Sequence, residues 1–247
     1  RDRLRSRGLG DVYKRQEVTN MKKIITCLLT LSMMFMFSAT AFASDFSGNA
    51  ESELSNISDK IVTAVNDVYS DKNISITAED INYDSAFKIY VDTNVFKLST
   101  NVVGEIENAL ENGNYIYLLP IDTVNGTVVV NFQKGLPLSE NAKAILSEEE
   151  QQEVLDNAGK WVISSLALYK NGNSNYDYEK KLSSIIDEIP ADTILVGGLP
   201  IFQDVVALIP NSDGVIEEIV PVTATDYDEN LVTYARSNSV IYDYEQV

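Results

Sequence analysis

Ser85-Ala86-Phe87-Lys88 sets a serine and a lysine three residues apart. This is the S-x-x-K spacing in which lysine acts as, or assists, the base that activates a serine nucleophile. The companion S-D-N and K-T-G motifs are absent, and the pair falls inside an alternating apolar run instead of opening a helix. Lys88 therefore reads as the solvent face of a strand. Carboxylates are plentiful, with 37 Asp and Glu, and glycoside hydrolysis needs two of them at about 5 Å or roughly 6.5–9.5 Å. Glu148, Glu149 and Glu150 are explained by favourable charge at a helix N-terminus. Glu217 and Glu218 interrupt an apolar strand, where at least one must face water. An all-oxygen Ca²⁺ site has two candidate loops. Asp226-Tyr227-Asp228-Glu229-Asn230 begins as D-x-D-x-N, but Leu231 stands where the sharp turn needs glycine and Ser237 where a bidentate glutamate belongs. Asn171, Asn173, Asn175, Asp177 and Glu179 alternate through 171–179, which reads equally as a solvated turn with Asp177 capping a helix. Gly197-Gly198 follows an apolar run, but no G-x-G-x-x-G or Walker lysine accompanies it. No catalytic, cofactor-binding or metal-ligating residue is assigned.

Composition removes whole classes of chemistry. The 247 residues contain no histidine, so Ser–His and Cys–His nucleophiles and histidine-ligated metals are excluded. The formal net charge is −18. Clustered Lys and Arg are needed to neutralise phosphates, so nucleic acid is not an expected partner.

The N-terminal region divides in two. Arg1-Asp2-Arg3-Leu4-Arg5-Ser6-Arg7 and the residues to Gln16 resemble translated sequencing-adapter read-through, and residues 1–20 are expected to be a non-native translation artefact. Residues 21–43 have the form of a secretory signal peptide. Met21-Lys22-Lys23 is the basic start, Ile24–Phe37 the apolar stretch, and Ala41-Phe42-Ala43 before Ser44 an A-x-A cleavage pattern. Cys27 lies too early in the apolar stretch for lipid attachment. An uncleaved anchor is the alternative. Cleavage after Ala43 removes eight Lys or Arg and three Asp or Glu, so residues 44–247 carry −23. All four methionines and the single cysteine leave with residues 1–43, which excludes disulfides and thiolate chemistry from the remainder.

The elements that would position any site follow from periodicity. Residues 44–52 read as a flexible lead-in. Leu54, Ile57, Ile61, Val65 and Val68 recur at helical spacing, and Phe87, Ile89 and Val91 alternate as in a half-buried strand. A second helix is expected over 100–111. Tyr115–Ile121 and Thr127–Phe132 flank Asn125-Gly126, the dipeptide of a type I′ hairpin turn. Pro120 implies that the first strand of this hairpin ends there or lies at an edge. Ser147 and Glu150 form a capping box for a helix that stops near Gly159. Trp161–Tyr169 either prolongs that helix or forms a strand, the strand being preferred. A fourth helix follows from Asp177 to Pro190. The remainder reads as β, with a hairpin over 205–222 and a final pair over 231–235 and 240–244. The expected fold is therefore α+β, a largely antiparallel sheet packed with about four helices in one domain over 53–247. A split near 171–175 is the alternative.

The strand alternation of Tyr115–Gly135 resembles segments of small uncharacterised secreted proteins of Gram-positive anaerobes, a resemblance that covers about 20 residues and implies no activity. The functional expectation is a secreted, extracellular, non-enzymatic binding domain for a peptide, protein or cell-wall component, with the twelve tyrosines of 44–247 as groove-lining candidates. It is expected to be monomeric, without a membrane anchor after cleavage and without a cofactor. A carboxylate-based extracellular hydrolase and a Ca²⁺-stabilised surface module are the alternatives. The end of the chain, Tyr242-Asp243-Tyr244-Glu245-Gln246-Val247, carries no sortase-like motif, so free secretion is expected rather than covalent wall attachment.

Overall fold

The computed structural model describes residues 45–111, 113–199, 205–222 and 241–244. The signal-peptide expectation with Ala41, Ala43 and Ser44, the 226–230 loop and the 231–235 strand lie outside these residues. The strands are β1 (Phe87–Val91), β2 (Asn114–Thr123), β3 (Gly126–Lys134), β4 (Trp161–Lys170), β5 (Ile194–Val196), β6 (Val206–Pro210), β7 (Ile216–Pro221) and β8 (Tyr242–Asp243). The α-helices are α1 (Ala50–Leu54), α2 (Ser58–Val68), α3 (Val103–Glu111), α4 (Glu140–Lys143), α5 (Glu148–Asn157) and α6 (Tyr178–Ser183).

Among the described residues one sheet holds all eight strands, in the order β4-β3-β2-β1-β5-β6-β7-β8. Its neighbours are antiparallel except β1 and β5, which run parallel with Tyr90 opposite Val196. The architecture is α+β with a largely antiparallel sheet, as the hairpin-rich element order predicts. Strands from both sides of the polar loop 171–175 belong to it.

Both faces of the sheet are covered. Over β2, β3 and β4, Leu54, Ile61 and Val65 of α1 and α2 pack on Tyr117, Leu119, Val128, Val130 and Phe132. On the same face, Ile106 and Leu110 of α3 pack on Val196, Val206, Leu208 and Ile219. Tyr176, Tyr178 and Leu182 cover the opposite face, against Phe87, Ile89, Leu118 and Val129. Covering on both sides explains why β3 reads as a near-continuous valine run instead of an alternating one.

Several local expectations shift. Within 44–52, expected as a flexible lead-in, Asp45–Ser47 forms a 3-10 turn and Ala50 opens α1. Phe46, Ala50 and Leu54, spaced by four, are buried, so apolar spacing outweighs the polar composition. The single helix expected through Val68 is broken by a 3-10 turn at Ser55–Ile57, and Val68 is exposed. Trp161–Lys170 forms a strand, and the capping box at Ser147 and Glu150 is present. Hydrogen bonds from the Ser147 hydroxyl and amide hold the Glu150 carboxyl below its usual range.

The 115–132 hairpin forms, but its turn differs from the type I′ expectation. Thr123 pairs with Gly126, so Val124 and Asn125 are the central residues, and neither has positive φ. Gly126 has φ +143°, and a Cβ there would stand 1.9 Å from the Tyr169 carbonyl oxygen. Glycine is required by the close approach of β4 rather than by the turn. Pro120 does not end β2. It lies beyond Phe87, the first residue of β1, and its carbonyl accepts from the Ser85 hydroxyl. In an antiparallel pair a residue's N and C=O point to the same side, so the missing amide faces where the ladder has already stopped.

Candidate functional site

The chemistry-bearing side chains that converge lie on the face covered by α1 and α2, where the two-residue period of four strands aligns them. β1 contributes Lys88 and Tyr90, opposite Tyr117 and Tyr115 of β2. Lys134 of β3 is opposite Trp161 of β4. Above this row, α1 supplies Glu53, and its carboxylate takes hydrogen bonds from three aromatic donors. The Tyr115 hydroxyl lies 2.7 and 3.0 Å from its two oxygens, the Tyr117 hydroxyl 3.3 Å and the Trp161 indole Nε1 3.0 Å.

The rings themselves interlock. Tyr115 meets Tyr117 edge to face at 5.7 Å, and Trp161 lies 5.4 Å from Tyr115 and 5.2 Å from Tyr117. Two ammonium groups flank Tyr115, Lys88 Nζ at 4.2 Å from the ring centroid and Lys134 Nζ at 4.6 Å. Lys88 also lies 5.0 Å over Tyr90, and Lys134 lies 5.2 Å over Trp161 and donates to the Tyr115 hydroxyl at 3.3 Å. Such cation–π contacts contribute on the order of 0.5–1 kcal/mol each at exposed sites. Gly48, at φ +52°, lets the chain entering α1 lie against Lys88, since a Cβ there would stand 3.0 Å from Lys88 Cδ.

Burial, and then the Glu53 carboxylate, push the Tyr115 and Tyr117 hydroxyls far above the ordinary tyrosine range. Both remain protonated donors at any physiological pH. Tyr117 is fully buried, whereas Tyr90, Tyr115 and Trp161 are half-exposed and Lys134 is exposed. Glu53 thus has its acceptors engaged by three donors. It ties the three rings together through one carboxylate.

The Ser85–Lys88 pair is not brought together. Ser85 donates to the Asn82 and Pro120 carbonyls, while Lys88 joins the aromatic row. Glu217 accepts from Asn211 and is exposed, with Glu218 half-buried. In the 171–179 loop, Asn171 donates to the Val124 carbonyl, Asn173 accepts from the Asn175 amide, and Asp177 caps α6 by accepting from Lys180 N at 2.7 Å. Among the described residues no group of three or more Asp and Glu converges as a metal site. Sequence reasoning missed Glu53 and the row beneath it. Lys88/Tyr90 and Tyr115/Tyr117 each carry the alternation that places them on one face, but the inter-strand register that joins them is not local.

Asp177 is 1% exposed, and one carboxylate oxygen has no hydrogen-bond partner among the described residues. Burial pushes its pKa from 3.8 up to about 6. A folded-state pKa above the unfolded value gives stability that is present below pH about 4 and lost as pH rises through about 6. Asp177→Asn keeps a carbonyl for the cap and removes the buried charge. It is expected to raise stability at pH 8 by about 1–2 kcal/mol and to leave it unchanged at pH 4, as read by denaturant unfolding at both values.

The chain matches no protein-family model, no curated protein and no solved structure.

Proposed function

We propose that the chain is an exported, non-enzymatic binding domain that recognises an extracellular peptide, protein or cell-wall component through the Tyr90–Tyr115–Trp161 row and its two lysines. The observation that carries this reading is the convergence of three aromatic donors on Glu53. It fixes large, half-exposed rings in one orientation before any ligand arrives. Tyrosine and tryptophan give much contact area for little rotamer entropy, and pre-organisation lowers the ordering cost of association. Lys88 and Lys134 place positive charge beside these rings in a chain of net −18, which favours ligands bearing carboxylate or phosphate.

The test is co-sedimentation of purified residues 44–247 with insoluble Gram-positive wall, with the supernatant analysed for released fragments. Binding without product is expected, and Lys88→Ala/Lys134→Ala is expected to weaken it at least tenfold. Release of glycan or peptide products, abolished by a carboxylate substitution, would establish the hydrolase alternative instead.

A further inference from the structure

The aromatic row ends at Trp161, the first residue of β4, and among the described residues β4 is an outermost strand of the sheet. An edge strand presents unpaired N–H and C=O groups, and natural proteins guard such edges with charges, proline or bulges. From Trp161 to Tyr169, β4 has no charged residue and no proline. Its bulge, where the β3 register slips between Asn131 and Phe132, gives Ser164 no partner in the ladder and leaves Ser165–Lys170 as an unbroken six-residue run. Leu166, Ala167 and Leu168 are half-buried there, whereas Val128, Val129 and Val130 across the ladder are buried. Among the described residues no strand covers this side of β4.

Charge indicates what that neighbour is. Lys170 closes the run, and Lys160 and Lys134 stand at the Trp161 end, all three exposed. Antiparallel pairing with a second copy centred on Ser165 would set Lys160 of one chain beside Lys170 of the other and join two chains that each carry −23 over residues 44–247. Both effects repel. We propose that β4 binds an extended peptide segment of a partner protein by strand addition, the segment being uncharged at its centre and carrying carboxylates at its ends. Main-chain hydrogen bonds give such recognition its affinity, and alternate side chains give it specificity. The inference rests on the binding reading above and names its ligand class as peptide.

The test uses residues 44–247 and the synthetic peptide Asp-Thr-Val-Thr-Val-Thr-Val-Thr-Val-Thr-Asp, acetylated and amidated, whose two Asp are ten residues apart like Lys160 and Lys170. Trp161 is the only tryptophan, so its emission reports binding, and amide hydrogen exchange reports the edge. The peptide is expected to shift Trp161 emission and slow exchange within 165–170 at least tenfold. N-methylation of the alternate amides facing β4 should weaken binding at least tenfold, and N-methylation of the other set should not. Lys160→Glu/Lys170→Glu should weaken binding of this peptide and favour its lysine-ended counterpart. Equal binding of both N-methylated sets, no binding of the parent peptide, or concentration-dependent dimerisation that protects 165–170 without peptide would each overturn the proposal. Wall glycan fragments that shift Trp161 emission while 165–170 exchanges freely would overturn strand addition and leave the binding row intact.

Discussion

Replacing Gly126 by alanine is expected to destabilise the protein by about 4 kcal/mol, a large share of the stability of an ordinary domain. Two independent costs act at this one position. The φ of +143° is a region that side chains with a Cβ rarely adopt. The added carbon would also stand 1.9 Å from the Tyr169 carbonyl oxygen and 2.8 Å from its carbon. Neither atom can yield without breaking the Gly126–Lys170 and Thr127–Tyr169 end of the β3–β4 ladder. Gly172 is the control. It has φ +88°, but a Cβ added there would meet nothing within 4 Å, so Gly172→Ala carries the conformational cost alone, about 1–3 kcal/mol. Denaturant unfolding of the two variants separates backbone strain from collision, and equal costs would show that β4 approaches Gly126 less tightly than this contact implies.

The second large effect is expected at Glu53. Its substitution by alanine leaves the Tyr115 hydroxyl, the Tyr117 hydroxyl and the Trp161 indole without their shared acceptor. Hydrogen bonds to a charged group contribute about 1.5–3 kcal/mol each, and a buried donor left unmade costs about 1–3 kcal/mol. Tyr117 is fully buried and has no route to water, whereas Tyr115 and Trp161 are half-exposed and recover part of their loss. The net expectation is a loss of about 3 kcal/mol. Glu53→Gln should lose about half as much, because a carboxamide offers one acceptor oxygen and turns a second donor toward the ring cluster. Thermal unfolding should therefore rank wild type above Glu53→Gln and Glu53→Ala last.

Much of the fold is local and is legible in the sequence for that reason. The β2–β3 hairpin, the Ser147 capping box and the choice of strand for Trp161–Lys170 follow from β-rich runs, a side chain reaching back three residues, and the Gly159 break. The type I′ expectation fails because Asn125-Gly126 carries a strong local signal while the reason for Gly126 lies on another strand, at Tyr169. The ordered start of the domain is hidden because Phe46, Ala50 and Leu54 are too few to show a period among polar neighbours. Glu53 is invisible for a deeper reason. Its partners stand 62, 64 and 108 residues away, and only the order β4-β3-β2-β1 brings them together. The parallel pairing of β1 with β5 is likewise beyond local pattern, since it depends on the chain crossing from the β4 edge to the middle of the sheet.

Glu53 holds a pre-formed aromatic row, and Trp161 fluorescence tests most directly whether that row receives a ligand. In the wild-type protein, a ligand from the proposed classes, an extended peptide or a soluble wall fragment, should shift and saturate Trp161 emission. Glu53→Gln, compared at a temperature where it is still folded, should show a red-shifted starting spectrum and at least tenfold weaker saturation. A Trp161 spectrum that neither peptide nor wall fragment changes, or one that responds identically in wild type and Glu53→Gln, would contradict the proposed role of the row.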